Sequence, residues 1–96
     1  MDKPQHLARK RMQLVQQRKL NILSIENILA RQLNLRLNAQ QVRHLENAAV
    51  TALRLPAHIE CALMANLAVV RTLQAQIHAI ETVLRSTVQL RPESRS

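Results

Sequence analysis

No glycine, phenylalanine, tyrosine or tryptophan occurs in this chain, although 47% of its 96 residues are hydrophobic. Glycine is the usual residue at tight turns, and aromatic rings fill the compact cores of most small domains. The alphabet that remains is Leu, Ile, Val, Ala and Met among Gln, Arg and Asn, which favours helices. The sequence therefore predicts an all-α fold of long helices packed side by side.

Apolar periodicity and turn signals predict one helical segment over residues 1–96, with helices near 5–34, 39–54 and 57–89 and a frayed tail over 90–96. Pro4 suits the first turn of a helix, and Pro56 marks the start of another. Asn38 and Gln41 have the spacing of a capping box. Because the short middle helix can return the chain, we expect the two long helices to form an antiparallel hairpin, or coiled coil, joined by that shorter helix.

The predicted first helix carries one apolar stripe, formed by Leu7, Leu14, Val15, Ile22, Ile25, Leu29 and Leu33. The last helix carries a heptad seam, formed by Ile59, Leu63, Val70, Leu73, Ile77, Ile80 and Leu84. Asn66 and Thr87 fall on the same lines, and Asn66 either fixes the register or is a tolerated polar residue. The seam is more apolar surface than one thin hairpin readily covers, which predicts a homo-oligomer.

The formal net charge is +8, and the excess is uneven. Residues 1–36 carry eight basic and two acidic side chains, whereas residues 37–96 carry six and four. A polyanion is the natural partner of such a surface, so we predict binding to DNA, structured RNA or both. The alternative is an ordinary solvated basic face. The residues predicted to contact nucleic acid are Arg9, Lys10, Arg11, Arg18, Lys19, Arg31, Arg36 and Arg43.

Two of these residues, Arg11 and Arg18, project close to the centre of the apolar stripe. Burying an unpaired guanidinium is costly, so three arrangements are open. A carboxylate from the last helix pairs with them, with Glu81 as the best candidate; the stripe faces an external phosphate; or the aliphatic stems pack while the charged ends stay in water.

The sequence has few residues that could catalyse a reaction or bind a metal. His58 and Cys61 have a metal-like spacing, but two ligands one turn apart do not make a zinc site, and His44 and His78 have no spacing that brings them there. Cys61 is expected to be a small core residue. The glutamates form no cluster, and no hydroxyl is placed with a histidine and an acid. We therefore predict no catalytic residue, no metal, no cofactor and no small-molecule substrate.

Six blocks in order carry a family resemblance: 9–18 (RKRMQLVQQR), 21–31 (NILSIENILAR), 41–45 (QVRHL), 66–70 (NLAVV), 73–77 (LQAQI) and 88–93 (VQLRPE). This series resembles the central coiled-coil segment of the DEDD-motif, RuvC-like transposases of bacterial insertion sequences. These transposases are relatives of the Piv-type invertases and include the bridge-RNA-guided recombinases.

In that family an RuvC-like domain with four acidic residues precedes the coiled coil, and a domain with a nucleophilic serine follows it. The resemblance spans about residues 7–93 and implies a segment truncated at both ends, so no catalytic residue carries over. Family members often have a glycine near the first turn, where this chain has Asn34 and Leu35. What the resemblance implies is nucleic-acid binding and dimerisation in DNA transposition or recombination.

Three interpretations follow. The first is a transposase-like fragment in the bacterial cytoplasm, since no signal peptide is visible and the longest apolar run, 61–70, is too short to span a membrane. The second is a small basic coiled-coil protein unrelated to transposition, which binds another helix. The third is a helix on a membrane surface, suggested only by the basic, amphipathic N-terminus.

Overall fold

The structure is a computed structural model, and it describes residues 2–89, with side chains described over 5–86. Four helices follow one another: α1 (Asp2–Leu33), α2 (Ala39–Arg43), α3 (Asn47–Ala52) and α4 (Ala57–Gln89). No strand occurs among the described residues, so the prediction of an all-α fold is confirmed. The predicted tail over 90–96 lies outside the described residues.

The two long helices pack against each other in an antiparallel hairpin. Arg11 bonds to Glu81 across the interface, and Ser24 bonds to Asn66, so a step forward along α1 matches a step backward along α4. The chain measures 58 × 21 × 19 Å. Asn66 donates from Nδ2 to the Ser24 hydroxyl at 3.2 Å, which places the seam's one described polar residue opposite a polar partner within the same chain.

Without glycine, the chain uses two other residues at its left-handed turn positions. Asn34 ends α1 with φ 53°, and its N–H donates to the Ala30 carbonyl at 2.9 Å. Asparagine tolerates this region better than most residues, because its short polar side chain bonds locally. Arg54 ends the segment after α3 with φ 56°. Pro56 follows, and its carbonyl accepts from Glu60 N–H at 2.9 Å in the first turn of α4.

The prediction of one continuous middle helix over 39–54 is wrong, because the structure has two short helices there, α2 and α3. The capping box at the start of α2 is confirmed: Asn38 Oδ1 accepts from Gln41 N–H at 2.8 Å, and Gln41 Oε1 accepts from Asn38 N–H at 2.9 Å. At the break, Glu46 is extended, with φ −100° and ψ 158°. The break lets α2 and α3 each turn a valine, Val42 and Val50, fully into the core.

The core lies where α2 and α3 cover the hairpin. Its fully or almost fully buried members come from all four helices and from the turn before α4: Ile22, Ile25, Leu29, Val42, Val50, Leu55, Leu63, Leu67 and Val70. We call this part, residues 22–29 and 63–70 with α2 and α3, the covered half. Residues 5–18 and 73–86 form the open half, in which α1 and α4 have only each other.

The seam residues of α4 pack inside this one chain. Leu63, Val70, Leu73 and Ile77 are buried against α1 and its neighbours, whereas Ile59, Ile80 and Leu84 are half-buried. The expectation that one hairpin leaves the seam uncovered is therefore wrong for its four buried residues, which the hairpin itself covers. Leu67, which the heptad pattern omitted, is buried as well, because α4 needs a wider apolar face where it contacts both α1 and the short helices.

Candidate nucleic-acid interface

Arg11 is held within the chain by Glu81. Arg11 donates from both Nε and Nη2 to Glu81 Oε2, at 2.9 and 2.7 Å, and the side chains are 42% and 32% exposed. The hydrogen bond from Arg11 holds the pKa of the Glu81 carboxyl below its usual value of 4.5, and the charges of Arg11, His78 and Arg85 act in the same direction. Of the three arrangements open to Arg11, internal pairing is the one observed.

Arg18 has no such partner. It lies two turns further along the same stripe, half-buried, and the only ion pair among the described side chains is that of Arg11 with Glu81. Burial lowers the pKa of Arg18 from its usual value, and the nearby positive charge of Arg43 lowers it further. Glu81 is near enough to act in the opposite direction, but not within bonding distance. Arg18 is thus a charge that the chain leaves without a bonded counter-ion.

A groove of about 370 Å³ lies beside Arg18, between α1 and α2. Its charged lining consists of Arg18, Lys19 and Arg43, with Glu26 as the one carboxylate. Arg43 reaches the groove from α2, whereas the other three belong to α1. We call this feature the basic groove. Three of the eight cations predicted to contact nucleic acid therefore meet at one place.

The Arg43 guanidinium makes one weak hydrogen bond. Its Nη2 donates to Gln40 Oε1 at 3.4 Å, while its Nε is buried and has no hydrogen-bond partner. A buried donor without an acceptor is destabilising. Arg43 and Arg18 are also close enough to repel each other, and an anion bound between them in the groove would reduce that repulsion.

The other predicted cations are spread along the hairpin. Arg9 and Lys10 are exposed and line a shallow concavity with His6, Leu7 and Gln13 near the start of α1. Arg31, in the last turn of α1, and Arg36, in the turn after it, are both exposed, and Arg31 lies about 33 Å from Arg9 along the helix axis at 1.5 Å per residue. The structure therefore brings Arg18, Lys19 and Arg43 together, places Arg9 and Lys10 as a separate pair, and leaves Arg31 and Arg36 outside both groups.

Arg71 has a structural role that sequence reasoning missed. Its Nη2 donates to the Leu45 carbonyl at 3.0 Å, the backbone group freed where α2 and α3 separate. The Leu45 carbonyl is a free acceptor only because the middle helix is broken there. A prediction of one continuous helix therefore gives no indication that Arg71 makes this contact. The Arg71 side chain therefore links α4 to the segment between α2 and α3.

Cys61 is exposed on α4, so the expectation of a core cysteine is wrong. Leu63, two residues further on, is buried, and residue 61 falls on the outer face of the helix. His44, His58 and His78 are also exposed. Within the part of the chain that the structure describes, no three of His, Cys, Asp and Glu come together as metal ligands would.

No family model, curated protein or solved structure matches this chain. None of the helices in residues 2–89 combines the length and the apolar character that crossing a membrane requires. The charges and contacts of the chain itself are therefore the basis for assigning a function.

Proposed function

We propose that this protein binds nucleic acid, DNA or structured RNA, through the basic side of its helical hairpin. The observation that carries the proposal is the row of cations along α1, in which Arg9, Lys10, Arg18 and Lys19 have no carboxylate bonded to them among the described side chains. A stable fold normally pairs or disperses half-buried charges. A cluster kept without a counter-ion suits a partner that brings its own negative charge.

Phosphate groups are the anions that best fit the wider distribution. Arg9 and Lys10 extend the positive surface along α1 towards its start, and both are exposed and have no ion pair with another described side chain. Side chains on a helix point around its circumference, so no single strand meets all of them. Binding is therefore expected to be weak, tolerant of sequence and dominated by phosphate contacts.

We also propose a biological role, which rests on the family resemblance. The protein is a fragment related to insertion-sequence transposases. It contributes nucleic-acid binding and dimerisation to DNA transposition or recombination and has no catalytic residues of its own. The bacterial cytoplasm is the compartment that fits this role. The alternative is a small basic coiled-coil protein that binds another protein and has no part in transposition.

The direct test is a titration of a fluorescein-labelled DNA duplex, and of an RNA hairpin, at increasing salt concentration. Each phosphate that the protein binds releases counter-ions, so log K should fall linearly with log salt. Replacing Arg9 and Lys10 by glutamine should weaken binding and reduce the magnitude of the salt slope by about two, roughly one for each phosphate that is no longer bound.

The matched control replaces Arg54 and Arg85 by glutamine. Both are exposed, neither has an ion pair among the described side chains, and the change in net charge is the same. Arg71 is unsuitable because it holds the Leu45 carbonyl. If both variants weaken binding equally, the effect is due to net charge alone. If the affinity does not change with salt concentration, a phosphate interface is excluded and the coiled-coil protein that binds another protein is favoured.

Dimerisation is the other part of the proposal. Since the seam is covered within the chain, a homo-oligomer would have to use the apolar side chains that are still exposed, of which Met12 and Leu20, 66% and 64% exposed, are the most prominent. Sedimentation equilibrium at micromolar concentration tests this. A mass well above 11.0 kDa supports association, and a single 11.0 kDa species at all concentrations excludes it.

A further inference from the structure

We infer that the basic groove is a docking site for an acidic amphipathic helix from another protein. The groove is larger and more apolar than a phosphate site requires. Most of its lining surface is apolar, and Val15, Ile22, Leu23 and Ala39 supply it beside the three cations. A ligand that fills the groove must therefore bring apolar side chains and negative charges together.

The shape of the groove fits the surface of a helix. Its α1 residues fall at positions 15, 18, 19, 22, 23 and 26, the spacing of one face over three turns. Rows of side chains at this spacing form the ridges and grooves by which helices pack. The apolar line continues towards the start of α1, where Met12 lies eleven residues before Leu23 on nearly the same line and is 66% exposed.

The open half also lacks a third layer of helix, which α2 and α3 supply in the covered half. α2 and α3 cover the hairpin around residues 22–29 and 63–70, but on the outer side of α1 Met12 and Leu23 remain 66% and 44% exposed. A docked helix would complete a three-helix arrangement there, as α2 does at the other end of the groove. This mode of recognition, an amphipathic helix in an apolar groove, is common among helical proteins.

Charge decides which helix fits. Arg18, Lys19 and Arg43 line the groove against the single carboxylate of Glu26, so the groove has a net positive charge. A second copy of this chain does not supply the matching carboxylates, because its six acidic residues are outnumbered by fourteen basic residues and no helix has two of them within a few turns. The occupant is therefore a different protein, with leucine-like anchors on one face and carboxylates beside them.

The test uses a fluorescein-labelled synthetic peptide of about 15 residues, close to the shortest length that is helical in water. It consists of Leu, Ala and Glu, with leucines on one helical face and glutamates flanking them. The full-length protein should bind it saturably, and Leu23→Glu should weaken binding by about tenfold or more, since it removes an apolar contact and repels the ligand.

Val69→Glu is the matched control. It gives the same net charge, and Val69 is as exposed as Leu23, 44% in both cases, but it lies on α4 and does not line the groove. Val69→Glu should leave binding within about twofold of the parent, well inside the effect of one interface residue. Both positions are already exposed, so circular dichroism should show both variants folded.

Each of the other outcomes would overturn the inference. Equal weakening in the two variants, or equal binding of a scrambled peptide of the same composition, would reduce the interaction to general electrostatics. If the peptide fails to bind but Leu23→Glu weakens binding of a DNA duplex while Val69→Glu does not, the groove is a phosphate site of the proposed nucleic-acid surface. The proposed function fails separately, in the experiment on Arg9 and Lys10, because neither residue lines the groove.

Discussion

The covered half and the open half of the hairpin bury their core-facing side chains to different extents. In the covered half, Ile25, Leu29, Leu63 and Val70 are completely buried, because two short helices close over the pair of long ones. In the open half, α1 contributes no buried side chain: Leu7, Leu14 and Val15 remain half-exposed, and Arg11 and Arg18 occupy two core-facing positions. α4 alone supplies buried residues there, Leu73 and Ile77.

The difference separates stability from binding along one helix. A chain this small buries little surface, so its stability depends on the few places where a third layer is present. Where that layer is missing, charged side chains are tolerated at stripe positions, since their ends still reach water. The buried core of the covered half accordingly stabilises the fold. The proposed binding surfaces lie on the open half of α1 and on the basic groove, which spans the boundary between the two halves.

The largest expected effect compares a leucine in each half. Leu67→Ala removes a side chain that is 1% exposed in the covered half, and should lower the free energy of unfolding by about 3 kcal/mol. Leu84→Ala, at a half-buried position of the open half, should cost about 1 kcal/mol. Urea denaturation followed by circular dichroism measures both. Equal destabilisation would remove the distinction between the halves.

A smaller effect is expected from Arg18→Met. Methionine keeps the length of the stem and removes a half-buried charge that has no bonded counter-ion, so the hairpin should gain about 1 kcal/mol. The same substitution at Arg11 should give no gain, because it leaves the Glu81 carboxylate without its partner. If thermal denaturation shows that Arg18→Met destabilises the protein, the unpaired state of Arg18 is contradicted.

The smallest effect concerns Glu81. Its pKa in the folded chain lies below the usual 4.5, so the pair with Arg11 contributes stability above that pH, and the contribution is lost as the pH falls through the lower, folded-state value. Glu81→Gln should therefore lower the melting temperature slightly at neutral pH and have no effect in strong acid. A difference that persists unchanged at low pH would show that the ion pair is not its cause.

The sequence was most informative where the relevant signal is local. The absence of glycine and aromatic residues predicted the helical fold, the spacing of Asn38 and Gln41 predicted a cap, and the stripe position of Arg11 made Glu81 the best candidate for its partner. Each depends on periodicity along one helix, or on two helices in simple antiparallel contact.

The features that could not be predicted depend on the angles between elements. The meeting of Arg18 and Arg43 requires a turn after α1 that returns α2 along its flank, and no periodicity specifies that direction. The division of α2 from α3 is equally hidden, because residues 44–46 contain neither glycine nor proline, the usual breakers. Leu67 was missed because a two-helix seam was assumed where α4 in fact faces three partners.

The central claim is that the buried core of the covered half holds the fold together while the cations in the first part of α1 bind nucleic acid. Amide hydrogen exchange, resolved by residue and measured with and without a short DNA duplex at low salt, tests it most directly. We expect the slowest exchange at residues 22–29 and 63–70 in the free protein, with duplex-dependent protection confined to residues 9–19 of α1. Slowest exchange in the open half, or protection by the duplex centred on α4, would contradict it.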